Sequence, residues 1–445
     1  MAGSKTTVES KTPRFGFIAV ASSLGLLIEA YDFLLFGFLA ATLGTLFFPP
    51  TSNPVTAILN AFLVFGAGFV MRPVGAFIFA NIGDKLGRKI AFIITLIIMG
   101  IAMLGIGLSP TYSQIGILAT ILLVLFRMLQ GIAFGGEFAP ATVFLQEHVP
   151  AERRNLYNGL LQSVWAIGPL LVLFTLLLNS LFLSPQALLS YGWRIPFLVG
   201  AAIIVVGILM RFFVEETPVF KHYKEKGEVL DNPIVVSFRK VWKEILLILI
   251  IMSLQSTYYY AGFIAPFSLI WLTYLNIPLI TALISFIIIF AIVAVLEILT
   301  GYFADKYNRR ISFIKWGYLI AGIVLLPLYS VFTITKNIAI LTLVTLPPAA
   351  FGLVMFVPLT VVFAELMPAN VRISGYNIAY QLGVGVIGGF APYITTYFFA
   401  LTNSILWAYA YVAIFGLVVA LICWLWLPET KGWDFLRTIP KLDKK

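Results

Sequence analysis

Six ionisable side chains lie inside long apolar stretches of the sequence, and they are the residues best placed to carry chemistry. They are Glu29, Asp32, Arg72, Arg127, Glu137 and Glu297. Charge is costly within a membrane-spanning helix, and ionisable residues that occur there commonly belong to a substrate or proton pathway. A purely structural role, in which paired charges only fix helix packing, stays open for each of them.

The stretch from Arg127 to Glu137 holds two of these residues together with Gln130. Ten residues of helix place its ends roughly 15 Å apart along the axis and only about 80° apart around it. We therefore expect all three side chains to face one side of a helix and to form one wall of a polar cavity. Gly131 and Gly135 form a small-x-x-x-small pair, which predicts the close approach of a neighbouring helix.

The composition indicates an integral membrane protein. Of the 445 residues, 61% are hydrophobic and only 11% are charged, a balance that soluble domains of this size do not show. Long apolar runs are typical of membrane helices rather than of a barrel, so we predict an all-α fold. The net charge of +10 is attributed to basic loops that set membrane topology, not to nucleic-acid binding.

Nothing in the sequence favours an enzyme or a bound cofactor. The two histidines, His148 and His222, lie in polar segments, and the sequence has neither a Cys/His cluster nor a glycine-rich phosphate loop. The single cysteine, Cys423, excludes an intramolecular disulfide. We therefore expect no metal and no cofactor apart from a coupling ion, for which H⁺ is favoured.

Twelve apolar runs divide into two sets of six. They lie near residues 16–47, 55–82, 90–108, 115–146, 156–183, 194–213, 245–275, 279–303, 312–332, 338–366, 373–400 and 404–427. A long polar interval separates the two sets. The predicted division is an N-terminal six-helix bundle (1–213), a cytoplasmic linker (214–244) and a C-terminal six-helix bundle (245–445).

Lysine and arginine gather in the connections on one side of the predicted bundle. These connections include the loops around Arg88, Arg153, Lys306 and Arg372, whereas the opposite connections are nearly free of positive charge. By the positive-inside rule, both termini and the linker are predicted to be cytoplasmic. We interpret the chain as a multi-pass protein of a prokaryotic cytoplasmic membrane, in contact with lipid and monomeric.

Two loop motifs recur in the second half of the chain. The motif with Asp84, Gly87 and Arg88 returns with Asp305, Asn308 and Arg309, and the pair Glu147 and Arg154 returns as Glu365 and Arg372. Asparagine tolerates a left-handed turn better than other non-glycine residues, so the turn at Asn308 is expected to survive. A duplicated six-helix unit of constant orientation is the parallel repeat of secondary transporters, which bind substrate between the halves.

These motifs resemble the signature of the major facilitator superfamily, and other segments resemble its metabolite:H⁺ symporter branch. The likeness to that branch lies in residues 31–33, 72–75, 130–138, 193–197 and 215–220. The resemblance implies twelve transmembrane helices in two pseudo-symmetric six-helix bundles. It also implies proton-coupled transport of an organic acid, proline or betaine by alternating access.

The intramembrane charges and the resemblance together suggest a proton switch. Asp32 and Arg127 fall near the middle of the first and fourth runs, and related sugar porters carry a similar aspartate and arginine. An arginine that engages the aspartate in only one conformation would control its protonation. Glu29 and Glu137 could share a proton or a cation nearer the cytoplasm, and Arg72 could neutralise either acid.

Eight charged residues at the cytoplasmic ends of the runs are predicted to form two clusters that hold the inner side shut. They are Asp84, Arg88, Glu147, Arg154, Asp305, Arg309, Glu365 and Arg372. Surface ion pairs are individually weak, about 0–1 kcal/mol, so these clusters are expected to set the balance between conformers. We expect Glu297 to act in conformational locking rather than in substrate binding.

Polar and aromatic side chains within the runs are candidates for substrate contact, because a lipid-facing amide is costly. The candidates are Arg127, Gln130, Gln162, Trp165, Gln255, Tyr258, Asn377 and Gln381. A substrate carboxylate would bind near Arg127.

The predicted function is proton-coupled symport of a small polar metabolite, with an organic acid most favoured. Zwitterions such as proline, betaine or amino acids, carried with H⁺ or Na⁺, are the second possibility, and an uncoupled facilitator is the third. A receptor on the same scaffold would be expected to carry a large soluble output domain, of which the sequence shows no sign.

Overall fold

The computed structural model describes residues 15–51, 53–86, 88–212, 233–369 and 371–433, and nearly all of them are helical. No β-strand occurs among them. Apolar segments in lipid must satisfy their backbone hydrogen bonds internally, and an α-helix does so within one segment. The described chain is thus all-α, as the composition predicts.

The first half of the described chain contains ten α-helices. They are α1 (Phe15–Phe38), α2 (Ala40–Leu46), α3 (Pro54–Leu86), α4 (Arg88–Leu108), α5 (Tyr112–Ile115), α6 (Ile117–Phe134), α7 (Phe138–His148), α8 (Arg154–Phe182), α9 (Pro185–Ala187) and α10 (Arg194–Phe212). A 3₁₀ turn, Ala151–Arg153, precedes α8, and a π-helical segment, Leu188–Gly192, precedes α10.

The second half of the described chain contains nine α-helices. They are α11 (Pro233–Lys240), α12 (Trp242–Tyr259), α13 (Leu279–Tyr307), α14 (Arg310–Ser330), α15 (Ile338–Val354), α16 (Phe356–Leu366), α17 (Arg372–Val386), α18 (Ala391–Thr402) and α19 (Ile405–Trp426). Two π-helical segments, Tyr260–Ile264 and Phe267–Tyr274, follow α12, and 3₁₀ turns follow α14 and α17.

Membrane-spanning segments of the described chain match the twelve predicted runs in order. Nine are long and apolar enough to cross a bilayer, and two more are bent pairs, Gly25–Phe38 with Ala40–Leu46 and Pro185–Gly192 with Arg194–Leu209. The twelfth is the shorter apolar helix Ile93–Leu108. The nine are Pro54–Phe79, Ile117–Glu147, Ala151–Phe182, Trp242–Tyr274, Leu279–Tyr307, Arg310–Thr333, Ile338–Leu366, Arg372–Thr402 and Ile405–Trp426.

Helix pairing repeats between the two halves. In the first half, α1 packs on α8, α3 on α6 and α4 on α10. The equivalent spans of the second half pair in the same way, with α12 on α17, α13 on α15 and α14 on α19. The halves meet where α13 lies along α8 and where α17 lies along α3. This is the pair of pseudo-symmetric six-helix bundles that the loop repeats predict.

Two local predictions from sequence are confirmed. Asn308 ends α13 with φ 53° and ψ 38°, the left-handed conformation expected where glycine is replaced by asparagine. The glycines of α6 pack directly on the backbone of α3: a Cβ on Gly131 would collide with the carbonyl of Gly68, and one on Gly135 with the carbonyl of Arg72. The helix that approaches α6 is therefore the one that carries Arg72.

Several predictions fall outside the described residues. Residues 213–232 contain most of the predicted linker, and Gly87 belongs to the first loop motif. The side chains of Asp84 and Arg88 are likewise outside the description, so their gating role stays a prediction. The domain boundaries at 213/214 and 244/245 also stay predictions.

Candidate functional site

Asp32 and Arg127 are joined through Gln130 in the interior of the first half. Gln130 Nε2 donates to Asp32 Oδ1 at 2.6 Å, and Arg127 Nη1 donates to Gln130 Oε1 at 3.0 Å. All three residues are at most 1% exposed. Among the ion pairs of the described chain, none joins Asp32 directly to Arg127. The predicted approach of aspartate and arginine is thus observed, with an amide between them.

Aromatic rings surround the Arg127 guanidinium. Its Cζ lies 4.7 Å from the ring centroid of Phe36 and 5.1 Å from that of Phe65. A cation over a ring face gains electrostatic stabilisation, which offsets part of the cost of burying the charge. Helices α1, α3 and α6 together therefore hold this arginine in place.

A second buried charge pair lies between α1 and α3. Arg72 Nη2 is 3.4 Å from Glu29 Oε1, and both side chains are at most 4% exposed. Arg72 Nε also donates to Gln381 Oε1 of α17 at 2.8 Å. The arginine predicted to neutralise Glu29 or Glu137 thus pairs with Glu29, and it also links the two halves.

The helix that carries Arg127 ends sooner than the sequence predicts. It stops at Phe134, a turn covers residues 135–137, and α7 begins at Phe138. The carbonyls of Phe134 and Gly135 at this break accept hydrogen bonds from Gln381 Nε2 (3.1 Å) and Asn377 Nδ2 (3.0 Å). Two side-chain amides that were predicted to contact substrate, Asn377 and Gln381, therefore donate hydrogen bonds to the carbonyls at the end of a helix in the other half.

The same break redirects Glu137. Its Oε1 accepts from Thr95 Oγ1 of α4 at 2.6 Å, whereas Gln130 contacts Asp32 of α1. The shared face of Arg127, Gln130 and Glu137 stays a prediction, since Glu137 also lies within electrostatic range of Glu29 of α1. The regular 100° spacing does not continue through the turn, so the face of Glu137 could not be obtained from periodicity.

A small cavity of about 30 Å³ lies between the halves. A volume of this size holds no more than a few water molecules, so a metabolite fits only when the helices move apart. The structure therefore shows the two halves in a contracted arrangement. The lining is mainly aromatic and comes from both halves: Phe138, Trp165, Met252, Gln255, Ser256, Tyr259, Tyr260, Phe356, Tyr380 and Val384.

Tyr260 stands between this cavity and the buried arginines. Its ring lies 4.9 Å from that of Phe69 and 6.0 Å from that of Phe65, centroid to centroid. Arg72 lies over Phe69 at 5.4 Å, and Arg127 lies over Phe65. Tyr260 and these two phenylalanines therefore link the cavity lining to both guanidinium groups.

Two of the predicted substrate contacts, Trp165 and Gln255, line the cavity. Gln255 Nε2 donates to the Gly352 carbonyl at 2.8 Å. Tyr258 does not line it, because its hydroxyl is directed to the Ala321 carbonyl at 3.5 Å, inside the second half. Successive helical residues point about 100° apart, and its neighbours Tyr259 and Tyr260 are the ones that face the cavity.

Glu297 lies in the seam between α13 and α8. It is 1% exposed, and a Cβ placed on Gly159 of α8 would be 2.6 Å from the Glu297 carbonyl oxygen. Gln162, also 1% exposed, lies three residues after Gly159 and therefore on the same face of α8. From the sequence, Glu297 was expected to act in conformational locking and Gln162 to contact substrate. In the structure, the two helices that carry them are in backbone contact.

Charged residues pair across the halves at the basic side, the end of the molecule that carries the lysine- and arginine-rich loops. Arg154 Nη1 lies 3.0 Å from Glu365 Oε1, and Arg372 Nη1 lies 3.1 Å from Glu147 Oε1. The two glutamates are equivalent in the repeat, and so are the two arginines. Each half therefore provides the glutamate for the arginine of the other, and separation of the halves at this side must break both pairs.

Arg310, not Arg309, joins this cluster. Arg310 Nη2 is 2.7 Å from Glu365 Oε2, and its Nε is 2.9 Å from Glu429 Oε1. Arg309 is exposed and forms no ion pair in the described chain, so its predicted place in the cluster is wrong. The left-handed turn at Asn308 changes the chain direction, and α14 begins with Arg310 buried.

Asp305 accepts hydrogen bonds from uncharged donors across the same interface. Its carboxylate accepts from Asn155 Nδ2 at 2.7 Å and from the backbone N–H of Leu156 at 2.8 Å. The halves also touch on the side opposite to the basic loops, where Phe38 meets Phe267 edge-on with centroids 5.1 Å apart. The cavity thus lies between two regions of contact.

Sequence reasoning missed several residues of the site, Thr95, Phe138 and Phe356 among them. Thr95 binds Glu137, and Phe138 and Phe356 form part of the cavity lining. A threonine in an apolar run carries no signal of its own. Phe138 follows a turn with two glycines and a glutamate, a signal that could have marked the helix break.

A family model described as Major Facilitator Superfamily matches residues 69–378 of the chain. The matched range begins in α3 and ends in α17. It therefore includes Arg72, Arg127, Glu297 and both crossed ion pairs of the basic side.

Individual relatives match over nearly the whole chain. The chain is 30% identical to the citrate-proton symporter of Salmonella typhi, over 90% of this chain and 91% of the relative. It is also 30% identical to the glycine betaine/proline/ectoine/pipecolic acid transporter OusA of Dickeya dadantii (strain 3937), over 92% of this chain and 82% of the relative.

Among solved structures, the xylose transporter XylE from E. coli in a partially occluded inward open conformation is similar. It superposes with a TM-score of 0.75 at 19% sequence identity, covering 94% of this chain and 99% of that chain. At that identity the likeness concerns the fold alone.

Proposed function

The chain belongs to the major facilitator superfamily of membrane transporters, and on that premise we propose that it carries a small organic acid together with protons by alternating access. It is a multi-pass membrane transporter and not an enzyme. The proposal concerns the substrate, the coupling ion and the residues that serve them.

The buried chain of contacts from Asp32 through Gln130 to Arg127 carries this proposal. It joins a carboxylate that can bind a proton to a guanidinium that can bind a substrate carboxylate, through one exchangeable amide. A substrate that accepts from Arg127 would displace Gln130 and remove a donor from Asp32. A buried carboxylate that loses a donor binds a proton more readily, so substrate and proton would favour each other's binding.

Arg127 is proposed as the substrate ligand in preference to Arg72. Arg72 already binds Glu29 and Gln381, and a substrate would have to compete with both. Arg127 has a planar fork of donors that suits a carboxylate, and its described side-chain acceptor is a neutral amide. We assign Glu29 and Glu137 supporting roles in proton coupling.

The lining of the cavity favours a zwitterionic substrate as the second candidate. Six of its ten lining residues are aromatic, and aromatic faces bind ammonium groups by cation–π attraction. A betaine or proline could place its carboxylate toward Arg127 and its ammonium group among Trp165, Tyr259 and Tyr380.

We further propose that the basic side faces the cytoplasm of a prokaryotic cell and that the transporter works as a monomer with no cofactor. The distribution of lysine and arginine supports this orientation. The crossed ion pairs at that side are proposed to hold it shut and to break as it opens.

Two steps test the proposal on the purified protein. A thermal-shift screen with citrate, 2-oxoglutarate, proline and glycine betaine selects a ligand, because a ligand at about 100 times its Kd stabilises by about 2.7 kcal/mol. Uptake of that ligand is then measured in proteoliposomes under an imposed pH gradient, with and without a protonophore.

We expect accumulation that depends on the pH gradient and is lost with the protonophore. Accumulation driven only by a sodium gradient would contradict proton coupling, and uptake that only equilibrates would identify an uncoupled facilitator. Stabilisation by glycine betaine and proline but not by the organic acids would replace the first substrate class by the second.

A further inference from the structure

Glu297 is a buried carboxyl group to which the proposed cycle gives no task. Its Oε2 atom has no hydrogen-bond partner in the described structure, and none of the described ion pairs includes this residue. It lies at a place where α13 and α8 touch through their backbones, beside Gly159. The carboxyl is therefore enclosed between two helices from opposite halves.

Two polar atoms on the helices around this seam and the cavity are also without a described partner. They are Gln162 Nε2 on α8 and the hydroxyl of Tyr259 at the end of α12. Tyr259 lies within electrostatic range of Glu297 and lines the cavity, where its ring meets Trp165 at 5.9 Å between centroids. Glu297 therefore lies within electrostatic range of a residue that lines the central cavity.

The charged groups nearest to Glu297 along the seam belong to the basic side. On its own helix Asp305 is eight residues away, roughly 12 Å along the axis. The helix α15 has no ionisable side chain. The other elements packed on α13 carry Arg154 and Tyr157 (α8), Glu365 (α16), Arg310, Lys315, Tyr318 and Tyr329 (α14), Tyr274 (π-helical segment) and Glu152 and Arg153 (3₁₀ turn).

None of these groups forms an ion pair with Glu297 in the described structure, and Arg154, Arg310 and Glu365 bind one another. An ionised carboxylate buried here without a cation to pair with would cost several kcal/mol. The contracted structure therefore favours the neutral, protonated acid. The Glu297 carboxyl can ionise without this cost only when α8 and α13 separate and water enters the seam.

We propose that Glu297 is a second proton-binding site of the transport cycle, occupied while the basic side is closed and emptied toward that side as α8 and α13 separate. The proposal rests on the alternating-access cycle inferred above and adds a proton that Asp32 does not carry. It differs from a locking role, since the residue would act through its proton and not through a partner.

The first test is infrared spectroscopy of the purified, detergent-solubilised protein. The C=O stretch of a protonated carboxyl is distinct from that of a carboxylate, and it shifts in D₂O. The difference spectrum between wild type and Glu297→Gln at neutral pH should contain one such band. A difference spectrum without a protonated-carboxyl band would overturn the proposal.

The second test links the proton to opening and uses no substrate. Ser163, on α8 and 7% exposed, is replaced by cysteine in a Cys423→Ser background, and its alkylation is followed against pH. Rates are corrected for thiol ionisation with a model thiol. Release of one proton on opening should raise the corrected rate with pH by up to about tenfold per pH unit.

The matched control is the same cysteine with Glu297→Gln, which imitates the protonated acid and should give a rate nearly independent of pH. Glu297→Asp, which keeps an ionisable group, should restore the dependence and shows that the glutamine variant fails for lack of a proton rather than of structure. Identical pH profiles in the wild-type and Glu297→Gln backgrounds would refute the proposal. Because no proton gradient is imposed, this outcome is distinct from a failure of proton-driven uptake.

Discussion

The central site has two walls, one from each half of the molecule. Charged side chains on the N-terminal wall are linked to one another within that wall, whereas the C-terminal wall is aromatic and encloses a carboxyl without a described partner. On the first wall, Asp32 is joined to Arg127 through Gln130. On the second, Tyr259 lines the cavity and Glu297 lies in the seam with α8. The two walls therefore handle charge in different ways, although their helices pair in the same pattern.

The basic side of the molecule shows the opposite behaviour. There, equivalent residues of the two halves make equivalent contacts, Glu147 with Arg372 and Glu365 with Arg154. A rocking motion that separates the halves acts on both equally, so matched contacts at this side suit a gate. A small metabolite bound in the centre need not have two-fold symmetry, so differing walls suit a binding site.

The largest effect is expected from the removal of the proton-binding group on the N-terminal wall. Asp32→Asn should abolish accumulation against a gradient, because the amide cannot take up and release a proton. Counterflow exchange in the same proteoliposomes should continue, since it requires substrate movement without net proton transport. Full concentrative uptake by Asp32→Asn would show that the carboxyl on the other wall, or another group, couples transport alone.

The second prediction concerns the pair of Glu29 and Arg72. Arg72→Met should lower the free energy of unfolding by about 3–5 kcal/mol, because it leaves a buried carboxylate without its cation. The double change Glu29→Gln with Arg72→Met should recover most of that loss. Unfolding in SDS, followed by circular dichroism, measures both.

Arg309→Met is the matched control for that series, because Arg309 is an exposed arginine without a described ion pair. It should change the free energy of unfolding by no more than about 0.5 kcal/mol. If the double variant is as unstable as Arg72→Met, the link from Arg72 to Gln381 and not the pair with Glu29 stabilises this wall.

The third prediction tests which wall binds the carboxylate. Arg127→Lys should weaken binding by about 2 kcal/mol, or roughly thirtyfold in Kd, because lysine loses the two-pronged hydrogen bond to a carboxylate. Titration of the purified protein with the ligand found by thermal shift measures this change. An unchanged Kd in Arg127→Lys and in Arg127→Ala would remove Arg127 from the substrate site.

The sequence predicted the features that follow from pattern. The twelve spans, the left-handed turn at Asn308 and the close approach of a neighbouring helix to Gly131 and Gly135 depend on apolar length, turn chemistry and side-chain size. Each of these follows from a local property of the sequence.

The features that were missed depend on where helices break and turn. Periodicity assumed an unbroken helix through Glu137, and three consecutive tyrosines gave no means to choose Tyr259 and Tyr260 over Tyr258. The repeat identified Glu147 and Glu365 as equivalent but could not show that each pairs with the opposite half. Such choices are made by tertiary contacts, which a single sequence does not contain.

The smallest predicted effect is a difference between the two crossed ion pairs of the basic side. Glu365 binds Arg154 and Arg310 and accepts from Thr430, whereas Glu147 is bound to Arg372 and its side chain is 15% exposed. Ion pairs contribute less to stability as they become more exposed to water, and Glu147 is the more exposed of the two glutamates. Glu365→Gln should therefore shift the population toward the open basic side more than Glu147→Gln does.

Distances between spin labels at Arg153→Cys and Lys306→Cys, exposed sites on opposite halves, measure this shift in a Cys423→Ser background. A change of about 1 kcal/mol alters the ratio of conformers about fivefold, so the longer distance should gain population by up to that factor in Glu365→Gln. Glu152→Gln, an exposed glutamate in the same region outside the crossed pairs, should leave the distribution unchanged. Equal shifts in Glu147→Gln and Glu365→Gln would mean that the gate responds to the symmetry of the repeat and not to the number of partners of each glutamate. Of the two regions compared, only the central walls would then show a difference between the halves in the strength of their contacts.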